Sequence, residues 1–414
     1  MMRGSLCAAL VLASSALGHA AGFELVEQST TAAGTAGAGS SRDGDPSAAW
    51  FNPAALADGA GFRAGLGLAL AQVDLHAQSA PGAAGNAWSG DTANDLSTPP
   101  HLYLSYAQDA WAVALSTNVP FGGQVKWPTD WAQRFEIISS RPQFFRIAAA
   151  FAWDFGFIRV SAGPHIDVGS LEIIKATNHI IEEGQAHLRL EGFGFGGHVS
   201  LYAAPVEGLG IGLVYKSRTS LSLAGQADFE VPATFAGRFP DQGVRSSWTL
   251  PDRLVVGASY RFMPELTVLA DVSLTLWSVN GELRLDFDEE VTDDIVQRNA
   301  WQDTVALRLG IEGRPLDDVT LRGGFFVDGL GGPAAPSATL TPASPDATRV
   351  GFSLGASYDF HAFSVDAFYA YLHLLDRQSD GLDAPEAIYS GEAHLFGLGF
   401  RFAAGRWPAH DADS

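Results

Sequence analysis

Cysteine is almost absent from this chain, since Cys7 is its single cysteine. Cys7 lies in an N-terminal segment where Arg3 is followed by a short apolar stretch and then by Gly18-His19-Ala20, a pattern typical of a secretory signal peptide. We therefore predict a leader over residues 1–20 that is removed on export. The mature chain then has no cysteine, which excludes disulfides, thiolate catalysis and cysteine-based metal sites.

Long apolar runs, excess positive charge and catalytic motifs are also missing. No segment after the leader offers about 18 consecutive apolar residues, so a helical membrane protein is not expected. The chain has 25 Lys and Arg against 46 Asp and Glu, a net charge of −21, which argues against a nucleic-acid partner. Its 11 histidines are scattered, and neither a nucleophile elbow nor a paired-histidine metal motif occurs. An enzyme, a bound metal and a cofactor are therefore not expected.

Alternating hydrophobicity with a period of two dominates the chain after Gly61. Apolar residues share one strand face and Gly, Ser, Arg and Asp share the other. A clear example is the apolar series Leu254, Val256, Ala258, Tyr260 and Phe262. A transmembrane barrel turns such an apolar face outward to lipid and keeps a polar lumen. We prefer this interpretation to a secreted soluble β-protein, which would hide the apolar face inside.

The pattern predicts an all-β transmembrane barrel of 14 antiparallel strands over residues 61–402. Connections alternate between short and long, which places both termini in the periplasm and the barrel in the outer membrane of a Gram-negative bacterium. Residues 403–414 are interpreted as a short periplasmic tail. The strands are predicted to begin near Phe62, Thr98, Trp111, Gln143, Phe157, Gln185, Gly210, Ser247, Leu266, Trp301, Asp318, Thr348, Ala362 and Ala387.

Residues 21–60 precede the first strand and are rich in Ala, Gly, Ser and Thr. Small residues pack tightly in confined spaces, so we predict a small N-terminal hatch, or plug, with short helices. A disordered periplasmic leader is the alternative. The segment contains Asn52-Pro53-Ala54, in which Asn favours a turn, Pro fixes φ and removes a donor, and Ala permits close approach. This element is interpreted as a latch that holds the plug against the barrel wall.

Several short motifs, in order along nearly the whole mature chain, resemble the FadL/TodX family of outer-membrane transporters for long-chain fatty acids and other hydrophobic compounds. The motifs are Ala21-Gly22-Phe23-Glu24-Leu25, Asn52-Pro53-Ala54, Val119-Pro120-Phe121-Gly122, Asp130-Trp131-Ala132-Gln133-Arg134-Phe135, Tyr215-Lys216-Ser217-Arg218, Leu250-Pro251-Asp252, Thr275-Leu276-Trp277-Ser278, Trp301-Gln302-Asp303-Thr304 and Leu321-Arg322-Gly323-Gly324.

The resemblance implies a hatch-closed barrel whose third strand kinks inward beside the Asn52-Pro53-Ala54 latch and leaves a lateral opening. We place this kink at Ser116, Asn118, Val119, Pro120, Phe121 and Gly122. A break there is physically reasonable because Pro120 cannot donate to the ladder and Gly122 tolerates unusual φ. An ordinary strand end entering a loop stays an open alternative.

Two sets of residues are candidates for ligand contact. The richest apolar cluster on the long loops is Phe121, Trp127, Trp131, Phe135, Ile137 and Ile138, which we interpret as a capture site, with an aromatic belt and loop packing as the alternative. Lys175 lies where the family pattern places a basic residue and is the candidate carboxylate anchor, although it could be a solvated loop lysine. Gln302 replaces a basic residue of the family pattern, which leaves room for neutral cargo.

The resemblance implies transport of a hydrophobic small molecule, namely a fatty acid, an alkane or an aromatic hydrocarbon, by ligand-gated lateral diffusion. It implies no cofactor and no energy-coupling partner. The expected partners are outer-membrane lipid and lipopolysaccharide, with the barrel-assembly machinery during biogenesis, and the protein is expected to be a monomer. A general porin or adhesin barrel is the alternative function, and an outer-membrane lipid-modifying enzyme is a weaker one. The inward-facing arginines are expected to form a structural network with lumen carboxylates.

Overall fold

The computed structural model describes residues 22–179, 182–360, 362–382 and 385–406. The predicted leader over residues 1–20 and most of the predicted tail lie outside these residues. Fourteen antiparallel barrel strands each pair with the next, and the first pairs with the last from Ala60 opposite Arg406 to Ser79 opposite Ala387. The barrel is therefore closed, which confirms the predicted fold.

Ten barrel strands run without a break: strand 1 (Ala60–Ser79), 2 (Pro100–Gln108), 3 (Trp111–Gly122), 4 (Ser139–Asp154), 5 (Ile158–Asn178), 6 (Glu183–Val206), 11 (Val319–Leu330), 12 (Arg349–Phe360), 13 (Phe363–Gln378) and 14 (Ala387–Arg406). Four are interrupted: strand 7 (Leu209–Lys216 and Thr219–Glu230), 8 (Gln242–Leu250 and Arg253–Met263), 9 (Leu266–Thr275 and Glu282–Phe287) and 10 (Ile295–Arg298 and Thr304–Leu316). Strand 14 thus runs four residues past the predicted end at Phe402. Two short strands, Ser89–Asp91 and Val125–Lys126, lie in long connections.

The two faces of the wall follow the sequence pattern. In strand 14 the outward Phe396, Leu398 and Phe400 are half exposed or more, as lipid-facing side chains are. The inward arginines of the later strands are buried in ion pairs, for example Arg308 with Asp328 at 3.0 Å. The expected lumen network is therefore present. We call the side of the long connections the loop end and the opposite side the turn end.

Residues 22–59, which we call the plug, lie inside the barrel and are mostly buried. They form two four-residue helices, Thr30–Ala33 and Ala48–Phe51, and a 3-10 helix, Pro53–Ala57. Two further 3-10 helices, Trp277–Val279 and Ser337–Thr339, lie in connections. Small residues let the plug approach the wall closely: a Cβ on Gly212 would meet the Ser40 carbonyl oxygen at 2.1 Å. None of the described helices is long and apolar enough to cross a membrane.

Candidate functional site

Aromatic side chains fill the centre of the barrel beside the first residues of the plug. The Phe23 ring centroid lies 5.2 Å from that of Trp301 and 5.3 Å from that of Trp248. Trp277 lies 5.1 Å from Trp301 and 5.5 Å from Phe121 of strand 3. All five side chains are buried, and their tilted and edge-on geometries are those that aromatic pairs prefer. We call these five packed residues the aromatic cluster.

Strand interruptions bring the three tryptophans together. Strand 8 breaks after Leu250 because Pro251 has no N–H to donate to a ladder. The Asp252 carboxylate at this break accepts hydrogen bonds from the Arg218 amide (3.0 Å) and the Tyr215 hydroxyl (2.6 Å), at the break in strand 7. Trp277 and Trp301 lie in the gaps of strands 9 and 10. The breaks therefore line up across four neighbouring strands and admit the indole rings.

A cavity of about 320 Å³ lies on the loop side of the aromatic cluster. Phe23 and Trp248 line it from the cluster. Its apolar wall also includes Ile137, Leu171, Ile173, Leu188, Phe229, Phe239, Leu283, Leu285 and Phe287. A concave, mostly apolar site with a few polar groups is the usual form of a small-molecule site. The cavity is the best candidate for the place where a hydrophobic ligand first binds.

Two basic side chains line this cavity, Lys175 and Arg238. Lys175 is half-buried at the loop end of strand 5, and the structure gives it no ion pair within the described residues. Glu136 and Asp293 also line the cavity, so its net charge is balanced. Lys175 thus lines an apolar cavity without an ion-pair partner among the described residues, and its role as carboxylate anchor stays a prediction.

The end of strand 3 separates from strand 2 while it stays paired with strand 4. From Trp111 to Thr117 the strand pairs with strand 2, and that ladder ends at Thr117 opposite Leu102. Residues 118–122 are all buried, although every second side chain of a wall strand should face lipid. The pairing with strand 4 shifts register between Asn118 and Phe121, which is the signature of a β-bulge. The structure thus shows a register shift and a buried strand end over residues 118–122, and the kink beside a lateral opening stays a prediction.

The plug takes the place of strand 2 beside this inward end. The Leu25 amide donates to the Pro120 carbonyl (3.0 Å), and the Gly122 amide donates to the Phe23 carbonyl (2.9 Å). The Gln28 side-chain amide donates to the Val119 carbonyl at 2.8 Å. The two backbone bonds form one antiparallel bridge in which Glu24 lies opposite Phe121. The end of strand 3 is thus held by plug residues 23–28, which we call the N-terminal arm.

Asn52-Pro53-Ala54 makes its hydrogen bonds elsewhere. The Asn52 amide nitrogen donates to the Leu201 carbonyl of strand 6 (2.9 Å) and to the Ser40 carbonyl of the plug (2.8 Å). The Ala54 amide donates to the Ser200 hydroxyl at 3.2 Å. Its helix packs near the turn end against Tyr103, Ala107, Ala112, Ala152 and Tyr202. Its polar contacts are thus on strand 6 and within the plug, and its helix also packs against strand 3. The N-terminal arm pairs with residues 120–122 of that strand, and the latch against the strand-3 kink stays a prediction.

The predicted capture residues are mostly packed into the loops. Trp127 and Trp131 stack at 4.4 Å, and their indole N–H groups donate to the carbonyls of Pro342 and Ile137. Of the predicted set, only Ile137 lines the cavity. Phe121 belongs to the aromatic cluster, Ile138 is buried, and Phe135 packs beside Arg134.

Sequence reasoning missed Phe23, Trp248, Trp277 and Trp301 as a functional group. Two signals could have found them. Trp248 alternates with the outward residues of its strand, and Pro251 and Asn280 mark breaks beside the tryptophans.

Buried ion pairs fix the plug in the lumen. Glu24 pairs with Arg253 at 2.8 Å, and Arg42 pairs with Glu312 at 2.5 Å. Asp271 of strand 9 accepts from the amides of Gly39 and Ser40, both at 3.0 Å. Within the described residues no cluster of His, Cys, Asp and Glu is arranged to hold a metal ion. The ion pairs of Glu24 and Arg42 and the hydrogen bonds to Asp271 hold the plug in the lumen.

Comparison with known proteins identifies the class of barrel. The sequence model of the family described as outer membrane protein transport protein (OMPP1/FadL/TodX) matches residues 10–403. The chain belongs to the FadL/TodX family. It is therefore a transport protein of the outer membrane and not an enzyme.

Relatives of this family member are distant in sequence. The chain is 22% identical to the outer membrane protein NMB0088 of Neisseria meningitidis, over 93% of this chain and 95% of that protein. It is 28% identical to outer membrane protein P1 of Haemophilus influenzae, over 51% of this chain and 47% of that protein.

Several solved structures share the fold of this FadL/TodX chain, and two examples follow. A Pseudomonas aeruginosa FadL homologue has a TM-score of 0.80 and 19% identity, with coverage of 92% of this chain and 99% of that chain. The P. putida toluene transporter TodX has a TM-score of 0.70 and 16% identity, with coverage of 91% and 98%.

Proposed function

We propose that this FadL/TodX protein carries hydrophobic molecules, either long-chain fatty acids or related hydrocarbons, passively into the outer membrane through a lateral opening beside the end of strand 3. The observation that carries the proposal is the departure of Asn118–Gly122 from strand 2 and their pairing with the N-terminal arm. The toluene transporter among its structural neighbours supports a hydrophobic cargo.

The route begins in the cavity at the loop end. A ligand that enters it leaves water for an apolar surface whose floor is Phe23. Each CH₂ buried is worth roughly 0.8 kcal/mol, so a chain of 15 methylenes gains on the order of 12 kcal/mol before entropic costs. Lys175 can bind a carboxylate while the tail lies against the apolar wall. The cavity therefore favours capture of cargo from outside.

A straight route to the periplasm is unfavourable for such cargo. The plug fills the lumen and is held by buried ion pairs such as Arg42 with Glu312. Removing one partner of a buried pair costs roughly 3–5 kcal/mol, and a greasy ligand that left on the turn side would be exposed to water again. An exit through the wall into lipid keeps the ligand in an apolar setting. The lateral direction thus follows from the energetics of the cargo.

Opening requires only that the N-terminal arm and the strand-3 end separate. Four hydrogen bonds join them: those donated by Leu25, Gly122 and the Gln28 side chain, and one from the Asn118 side chain to the Gln28 carbonyl at 3.2 Å. Each contributes about 1 kcal/mol. Phe23 forms both the floor of the cavity and one end of this contact. A ligand that displaces the Phe23 ring therefore strains the bonds that hold the strand end. Opening of the lateral gap then depends on ligand binding and needs no external source of energy.

A reversible cross-link tests the route. Glu24→Cys with Phe121→Cys joins two residues that already lie opposite each other, and directly opposed residues are spaced suitably for a disulfide. The predicted mature chain has no other cysteine to compete. We expect oxidation to block uptake of a radiolabelled C16 fatty acid by cells that carry the variant, and reduction to restore it.

The matched control is Ala64→Cys with Leu104→Cys, a pair inside the continuous ladder of strands 1 and 2. Its oxidation should leave uptake unchanged. Equal uptake by the oxidised and reduced Glu24–Phe121 pair would contradict the lateral route. Large steady ion currents through the wild-type protein in planar bilayers would instead favour a general porin.

A further inference from the structure

A groove of about 650 Å³ lies on the outer face of the wall, across strands 4 to 8. The apolar side chains that line it are Phe151, Trp153, Val160, Ala162, Val199, Leu201, Leu213, Tyr215 and Leu254. Ala162, the smallest of them, lies in one row between Phe151 of strand 4 and Val199 of strand 6. These side chains alternate with lumen residues along their strands, so the groove opens to lipid and is separate from the cavity inside the barrel. We call it the outer groove.

The loop-side end of the outer groove reaches a cation. Tyr215 lines the groove, and its hydroxyl donates to the Asp252 carboxylate at 2.6 Å. The Nε of Arg218 donates to the same carboxylate at 2.7 Å. Asp252 is buried, whereas 56% of the Arg218 side chain is exposed, and the two terminal nitrogens of its guanidinium bond to no described residue. A guanidinium that is held in this way and keeps free donors can bind a phosphate at two points.

Arg218 lies at the outer edge of the apolar band. Strand 7 begins at the turn end with Leu209. With a rise of about 3.3 Å per residue and a tilt of about 40°, Arg218 lies about 23 Å from that end, and the apolar band of such barrels is about 25 Å tall. The outward side chains of strand 7 agree, since they are apolar up to Tyr215 and polar from Arg218 to Ser222. Long connections face the outside of the cell, so Arg218 is level with the headgroups of the outer leaflet.

We propose that the outer groove binds lipopolysaccharide, with a lipid A phosphate on the Arg218 guanidinium and the acyl chains of lipid A along the groove. Lipid A is the lipid of the outer leaflet and carries both phosphates and acyl chains, which match the cation and the apolar surface. Gly197 of strand 6, which is hydrogen-bonded to Ser217, has no side chain that could cover the guanidinium. This inference does not depend on the cargo or on its route.

A lipid bound there would cover a break in the wall. Strands 7 and 8 pair at Lys216 opposite Arg253 and again at Thr219 opposite Leu250, and the residues between these pairs leave the ladder. A phosphate on Arg218 would give its free donors a partner, and the acyl chains would lie across the five strands that form the groove. The bound lipid would thus join the strands on both sides of the break at the level of the outer headgroups.

Binding of lipid A to the purified protein tests the proposal. The full chain is purified from outer membranes in detergent, stripped of lipid and titrated with bisphosphorylated hexa-acyl lipid A, and native mass spectrometry counts the bound lipid. We expect dephosphorylated lipid A to bind roughly tenfold more weakly, because charge-assisted hydrogen bonds are lost. Arg218→Gln should weaken binding of the bisphosphorylated form roughly tenfold and leave binding of the dephosphorylated form unchanged.

Matched variants separate the phosphate site from the groove. Arg245 is another exposed arginine that pairs with an aspartate, Asp288, outside the groove, so Arg245→Gln should bind lipid A like the wild type. Ala162→Phe fills the groove and should weaken binding of both forms of lipid A by the same factor. Ala258→Phe replaces an exposed alanine of strand 8 outside the groove and should weaken neither.

The proposal would be overturned by any of four results obtained while far-UV circular dichroism shows an intact barrel. These are equal affinity of the wild type for phosphorylated and dephosphorylated lipid A, equal losses in Arg218→Gln and Arg245→Gln, unchanged binding by Ala162→Phe, and tighter binding of phosphatidylglycerol than of lipid A. The last result would assign the groove to a phospholipid.

Discussion

Two of the contacts that attach the plug to the barrel differ in kind. Near the turn end, Gly39, Ser40 and Asn52 bond to residues of strands 6 and 9. Those strands are paired along both edges. At the other place, the N-terminal arm bonds to the end of strand 3, which has already left strand 2. One attachment is to a closed wall, and the other is to a strand end that has separated from its neighbour on that edge.

This difference determines which contact can open. If the turn-end contact separates, buried amides and carbonyls lose partners inside a sealed lumen, at a cost of about 1–3 kcal/mol for each group. If only the hydrogen bonds between the N-terminal arm and the strand-3 end separate, the Glu24–Arg253 ion pair can stay in place, and the strand edge that loses its partners is one that has already left strand 2. We therefore expect the contact between the arm and the strand end to be the part that moves and the turn-end contact to be the fixed one.

Asn52→Ala and Gln28→Ala each weaken one of these two contacts, and we expect the largest difference in stability and hydrogen exchange between these variants. Asn52→Ala removes hydrogen bonds to Ser40, Leu201 and Ala54, so it should destabilise plug docking by about 3–5 kcal/mol. Gln28→Ala removes two, to Leu25 and Val119, and should cost about 2 kcal/mol. Hydrogen–deuterium exchange should rise in residues 39–57 for the first variant and only in residues 22–28 for the second.

Uptake separates the two variants further. Gln28→Ala should increase uptake of a C16 fatty acid, because the closed state of the arm is weakened, whereas Asn52→Ala should not. Gln78→Ala, at an exposed position at the loop end of strand 1, serves as the control and should change neither exchange nor uptake. If both variants loosened the same peptides, the distinction between a moving arm and a fixed contact would be wrong.

The free energy that holds the N-terminal arm in its docked position should fall by about 3 kcal/mol as the pH rises. The other plug contacts should not share this pH dependence. Burial raises the pKa of the Glu27 carboxyl to about 7, against the opposing charge of Arg349, and its Oε1 has no hydrogen-bond partner within the described structure. Docking therefore favours the protonated acid. The contribution of Glu27 to docking of the arm is complete below its ordinary pKa of 4.5 and is lost as the pH rises through 7. A pKa difference of one between the docked and free states corresponds to roughly 1.4 kcal/mol.

Exchange of residues 22–28 should accordingly be faster at pH 8.5 than at pH 5.5, after correction for the intrinsic rate. Glu27→Gln should remove this dependence, and exchange of residues 39–57 should not show it. Asp43→Asn removes a plug carboxylate outside the arm and should leave the dependence in place. If the pH dependence of exchange persisted in Glu27→Gln, a titratable group other than Glu27 would be its cause.

The wall could be predicted from the sequence because its pattern is local. Each lipid-facing residue alternates with a lumen residue, so strands 3, 9 and 14 begin at Trp111, Leu266 and Ala387 as predicted. The interruptions are harder to predict: the pattern starts strand 10 near Trp301, yet Ile295–Arg298 precedes it. A short piece of strand before a gap has too few residues to show a period of two.

The contacts of the plug could not be predicted because they are not local. The sequence predicts a turn at Asn52, and the structure places this residue as the cap of the 3-10 helix Pro53–Ala57. Its partner Leu201 lies 149 residues away, and no spacing rule selects strand 6 over strand 3. The aromatic cluster likewise depends on which strand breaks line up across the barrel. The alternating sequence pattern predicts which face of a strand a residue occupies. Its contact partners on that face depend on how the barrel closes.

The smallest expected effect concerns Lys175, whose contribution should depend on the charge of the cargo. Lys175 is a half-buried cation at the edge of the cavity, where a charge-assisted bond to a carboxylate is worth about 1 kcal/mol, or roughly fivefold in affinity. Lys175→Met should therefore weaken binding of a C16 fatty acid roughly fivefold and leave binding of the C16 alkane unchanged, as measured with the purified protein in detergent. Lys126→Met removes a lysine that pairs with Asp95 outside the cavity and should affect neither ligand. The two ligands differ only at the carboxylate. An equal loss of affinity for both would therefore show that Lys175 acts through packing. If neither ligand lost affinity, the carboxylate would bind elsewhere in the cavity, and Arg238 would be the next residue to replace.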